Sequence, residues 1–182
     1  MQFKLKSISV ESIPEALAKV ERYRLLNEPG LAESICLDIL AIVPDHQQAL
    51  ISLLLARTDQ FHSNVPAKTA KAAKAAQEIL AQLKGDYEQA YYAGIIWERL
   101  GNARIHEGVA GAGASAYHML REAMSHYERA MNFATPGNDK AILRWNTCAR
   151  VIMHNPEIRP APDEDAALAW MRDEASSRIA DP

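Results

Sequence analysis

The sequence predicts an all-α fold of stacked antiparallel helix pairs, about three pairs followed by a C-terminal capping helix. Three observations lead there. Ala, Leu, Ile and Glu dominate while Val and Thr are scarce, a balance that favours helix by intrinsic propensity. Apolar residues recur at helical spacing through most of the chain, with almost no strand-like alternation. Gly and Pro, eight and nine residues in 182, punctuate sparsely, which suits short connections between packed helices.

The first helix is expected from Ser12, a capping residue, with Pro14 at a position where a missing N–H costs nothing. Ile13, Leu17, Val20 and Leu25 keep its rhythm until Glu28-Pro29-Gly30. A second helix runs from Leu31 to about Ile42 and stops at Pro44-Asp45. A third starts near His46 and reaches Thr58, followed by a looser stretch, 59–66. Residues 67–83 form a fourth helix, with Ala72, Ala76, Ile79, Leu80 and Leu83 on its apolar side. The fifth covers 87–100, and Gly101-Asn102 marks a turn or bend. A glycine- and alanine-rich connection, 106–115, leads to a helix over 117–134. Residues 135–139 read as a strong turn. The last core helix, 140–153, carries Ile142, Trp145, Cys148, Ala149 and Ile152 on one stripe.

The chain therefore divides into a lead segment (1–11), a helical domain (12–154) and a C-terminal part (155–182). The C-terminal part begins as a Pro-rich acidic linker and ends in a short helix or tail, with Leu168, Met171, Ala175 and Ile179 along one face.

A 48% apolar and 24% charged composition is that of a chain able to bury a core without disulfides or metal. The net charge of −3 argues against general nucleic-acid binding, which needs a basic surplus. The N-terminus has neither the apolar run nor the small-residue cleavage site of a secretory signal. No stretch approaches the ~20 apolar residues of a spanning helix. A cytoplasmic protein without membrane contact is the expectation. Cys36 and Cys148 sit in apolar helical contexts and read as buried thiols.

The helix pairs resemble one another. Tyr23, Ala32 and Pro44 mark the first pair; Ala123, Tyr127, Ala130 and Pro136 mark a later one. Over residues 12–153 this resembles the tetratricopeptide repeat family, whose unit is a helix pair of about 34 residues. In this chain Cys36 stands where the family usually has an aromatic, and the middle units carry insertions at 59–66 and 101–115. The resemblance implies a right-handed superhelical stack. Ala32, Ala123 and Ala130 would let helices approach, Tyr23 and Tyr127 would fill the space between pairs, and Gly94 would be a further close contact beside Trp97.

The resemblance also implies a function: holding a protein or peptide segment in the groove lined by the first helix of each pair. Groove candidates are Tyr91, Tyr92, Ile95 and Arg99 on the fifth helix, with Arg144 and Arg150 on the last, where guanidinium can bind carboxylate in two hydrogen bonds. No cofactor, metal or catalytic residue is expected. His118, Glu122 and His126 share one helix line, but the two histidines lie ~12 Å apart by helix rise and cannot share an ion. The 108–115 segment lacks the Lys-Ser/Thr ending of a phosphate-binding loop. Lys68, Lys71 and Lys74 form a basic stripe that reads as a solvated face. Two other readings stay open. One is a self-associating structural subunit. The other is a small-ligand binder or enzyme with an inter-helix pocket around Tyr91, Trp97, His118 and Trp145.

Overall fold

A computed structural model describes residues 3–62, 66–107 and 111–161. The terminal helix expected within 155–182 lies outside the described residues from position 162 onward. The described residues are all-helical: α1 (Ile13–Leu25), α2 (Pro29–Leu40), α3 (Gln47–Thr58), α4 (Pro66–Leu80), α5 (Asp86–Glu107), α6 (Ala112–Met131) and α7 (Lys140–His154). Short 3-10 turns at Val10–Ser12 and Asp59–His62 lead into α1 and continue α3. Each helix packs on its neighbours in sequence, most extensively α5 on α6, and α3 also touches α1 and α5.

Local chemistry explains the helix ends. The His46 ring accepts a hydrogen bond from the Ala49 N–H at 3.3 Å and caps α3. Ser12 does not cap as expected; its hydroxyl donates to the Ser9 carbonyl at 2.8 Å, inside the preceding turn. Pro29 opens α2 at a position where its missing N–H is harmless, two residues earlier than the sequence suggested.

Gly101-Asn102 is not a turn. The helix runs straight through to Glu107 because Gly101 is buried beneath α6, where an added Cβ would lie 3.1 Å from Leu120 Cγ. The glycine permits close approach rather than a bend. The stretch after 110 is likewise more helical than expected, with α6 beginning at Ala112 after the left-handed Gly111 (φ 78°).

α5 is covered on two sides, and its buried residues, from Ala90 to Ala103, serve two cores. Ile96 and Ala103 join the core shared with α1–α4, while Ala90 joins the core shared with α6 and α7. Ala32, Ala123, Ala130 and Tyr127 are fully buried, as inter-helix contacts require. Gly94 is a close-contact point, but its companion is Tyr127 rather than Trp97. On α7 the expected stripe is only partly covered. Cys148 is buried, whereas Ile142 is 42% exposed.

Cys36 and Cys148 are free and fully buried, and burial pushes both thiols up to about 12. Neither should react with iodoacetamide at neutral pH until the chain unfolds, since the thiolate is the nucleophile. Rapid alkylation of the native protein, read by mass spectrometry, would contradict this packing.

Candidate functional site

A polar seam runs across the helix pairs. At its first end, Arg24 of α1 donates from Nε to Asp59 Oδ2 at 2.7 Å. Arg99 of α5 donates to the other Asp59 oxygen, and also to Thr58 Oγ1 at 2.6 Å and the Leu55 carbonyl at 3.1 Å. One carboxylate at the end of α3 thus holds two arginines from different helices. Burial lowers the Arg99 pKa from its ordinary value and Asp59 opposes that loss.

One residue along α5, Glu98 is a buried carboxylate, 3% exposed. It accepts from the Tyr127 hydroxyl of α6 at 2.6 Å and from Arg144 Nη1 of α7 at 3.0 Å. A buried carboxylate is tolerable because both oxygens are bonded and one partner is cationic. Burial, then the neighbouring Glu98, raises the Tyr127 pKa far above its usual value, so the phenol remains a donor. Burial lowers the Arg144 pKa, but Glu98, Tyr127 and Tyr91 outweigh it and leave the group above its ordinary value.

Four tyrosines sit against this seam. Tyr87 and Tyr91, one helical turn apart on α5, stack with centroids at 5.6 Å. Tyr91 meets Tyr92 edge-on at 5.2 Å and Tyr127 at 5.8 Å. Burial pushes Tyr92 up to about 12. Tyr91, Tyr92 and Arg99 are half-buried, and Arg144, with 38% of its side chain exposed, is the most accessible seam cation. Three arginines share two carboxylates, which leaves the seam one positive charge in excess.

The chain matches no family model, no curated protein and no solved structure.

Of the six groove residues expected from sequence, Tyr91, Tyr92, Arg99 and Arg144 meet along this seam. Ile95 does not. It is 1% exposed and belongs to the core, because α5 packs on two sides and that face is covered. Arg150 is exposed but lies about 120° around α7 from Arg144, six residues on, so the two do not share a face. Arg24, Asp59, Glu98 and Tyr127 complete the network, and sequence reasoning did not single them out as a site. The one available signal was Glu98 itself, an acid directly after Ile95-Ile96-Trp97.

The alternative pocket is not assembled as expected. Tyr91, Trp97 and Trp145 pack on one core, but His118 is exposed on α6, edge-on to Tyr117 at 6.0 Å. No group of three or more metal-ligating side chains occurs among the described residues. No helix among them is long and apolar enough to cross a membrane.

His126 lies instead in a cleft of about 260 Å³ between α4, α5 and α6, with Gln77, Gln89 and Arg129. Its Nδ1 is buried without a hydrogen-bond partner. Burial, reinforced by Arg129 and opposed by Glu122, lowers its pKa from 6.5. The unfolded chain therefore takes up the proton first. The stabilising contribution is complete above 6.5 and lost as pH falls below it. Melting temperature should decline modestly over that window, and His126→Gln should flatten the decline.

Proposed function

We propose that this chain is a non-catalytic protein-interaction module of the tetratricopeptide-like kind. In this reading the odd-numbered helices line a groove that receives a partner segment, and the even-numbered helices form its back. The observation that carries it is the seam, where Arg24, Asp59, Arg99 and Arg144 come from α1, the end of α3, α5 and α7. A run of alternate helices sharing one aromatic and cationic face offers an extended peptide both stacking surface and hydrogen-bond donors. The internal carboxylates hold the arginines in fixed positions, which lowers the ordering cost of binding. A cytoplasmic setting accords with this reading.

The test is site-specific photocrosslinking in native cells. A photoreactive phenylalanine analogue replaces Tyr92 on the groove side or Lys74 on the back. The reading expects one discrete adduct from position 92 and none from 74. Adducts from 74 alone would overturn it.

A second reading, self-association, is favoured by Leu25 and Leu26 at the end of α1, 89% and 63% exposed. Light scattering across a concentration series decides it, since a monomer throughout excludes a self-associating subunit.

A further inference from the structure

We propose that the cleft between α2 and α4 binds a small phosphate monoester as its dianion. The cleft has a volume of about 370 Å³, within the range of small-molecule sites. Glu33 of α2, Arg57 in the last turn of α3, Gln60 of the following 3-10 turn, and Lys68 and Lys71 of α4 line it. None of these residues belongs to the seam, so the inference does not depend on the groove reading.

The fold gathers these groups around α3, which packs on both α2 and α4. α4 turns Ala73, Ala76 and Ile79 into the core. Lys68 and Lys71, three residues apart, are exposed neighbours on its other side. The basic stripe read from the sequence therefore divides. Lys68 and Lys71 flank the cleft, and Lys74 does not line it.

Arg57 separates this cleft from an ordinary solvated lysine face. Only 23% of its side chain is accessible, and its Nη2 meets Glu33 Oε1 at 3.2 Å. Glu33 is held in turn by the Gln60 amide, which donates to Oε2 at 2.8 Å. The guanidinium is thus fixed in place with donors to spare. Its Nε is buried without a hydrogen-bond partner, an arrangement that costs stability. A phosphate oxygen in the cleft can meet that need after a small turn of the guanidinium, and such pairs are commonly bidentate.

The charge balance selects the ligand. Arg57, Lys68 and Lys71 carry three positive charges against the one carboxylate of Glu33, and neither lysine makes an ion pair among the described residues. The excess of two matches a phosphate monoester, which carries close to two negative charges at neutral pH. A sulfonate or a carboxylate supplies only one. Ala72 and Ala75 add an apolar wall beside the cations, against which the organic part of an ester can lie.

The experiment uses the full chain, with phenyl phosphate as the probe and isothermal titration calorimetry as the readout. Saturable binding is expected, weaker for inorganic phosphate and weaker still for benzenesulfonate, a monoanion of similar shape. Lys68→Gln combined with Lys71→Gln should lower affinity about tenfold, whereas Lys74→Gln, a charge loss on the same helix outside the cleft, should leave it nearly unchanged. Glu33→Gln keeps an acceptor for Arg57 but removes the competing charge, so affinity should rise several-fold. Shifts of opposite sign separate a ligand site from a loss of folding, which would weaken binding in every variant. No saturable binding of phenyl phosphate, equal binding of inorganic phosphate or benzenesulfonate, an equal loss in Lys74→Gln and the double variant, or weaker binding by Glu33→Gln would overturn the proposal.

Discussion

Gly94→Ala is expected to destabilise the protein by about 3 kcal/mol, although alanine is the better helix former. An alanine Cβ would stand 2.5 Å from Tyr127 Cε1 and 2.7 Å from Cδ1. The ring cannot move aside, because Tyr127 is wholly buried, its hydroxyl is bonded to Glu98 and Tyr91 lies against it. The intrinsic helix gain of about 1 kcal/mol is therefore outweighed by overpacking. Urea denaturation measures the loss as a lower midpoint at unchanged slope. The mechanism adds a coupling requirement. In a Tyr127→Leu background the same glycine change should cost much less, because the atoms it meets are gone. A neutral or stabilising Gly94→Ala would mean that α5 and α6 do not pack at this distance.

Glu98→Ala is expected to cost a similar amount, about 3 kcal/mol, by a different route. It strands the Tyr127 hydroxyl in the core and removes the carboxylate that holds Arg144. Arg144 is exposed enough to regain water, so the larger part of the loss falls on the α5–α6 contact. Arg144→Met should destabilise through the opposite partner, by leaving Glu98 buried with Tyr127 alone. A double-mutant cycle of the two, followed by denaturation, should show substantial coupling. Strict additivity would mean that the pair contributes nothing as a pair.

These two sites also show what the sequence made legible. The helices could be read because periodicity and punctuation are local properties. Ile39, Leu50 and Ile79 fall on apolar faces whatever covers them. Gly101 was misread because a glycine that breaks a helix and one that admits a neighbour look alike from one strand of text; Leu120, which decides between them, comes from another helix. Ile95 and Ile142 exchanged places for a related reason. Spacing finds an apolar stripe, but the packing of neighbours decides which part of it is covered.

The site was half legible. Tyr91, Tyr92, Arg99 and Arg144 announce aromatic and cationic chemistry by residue type. Their partners do not. Arg99 ignores the adjacent Glu98 and pairs with Asp59, 40 residues away, while Glu98 bonds Arg144, 46 residues away. Those pairings follow from how α1, α3, α5 and α7 meet, which no local pattern encodes.

The most direct test of the groove reading is hydrogen–deuterium exchange on the complex with whichever partner photocrosslinking at position 92 identifies. Binding should slow exchange in α5 around residues 87–99, near the end of α3 and around Arg144 on α7, and leave α2 and α4 unchanged. Protection confined to α2, α4 or the back of α6, with the seam unaffected, would contradict it.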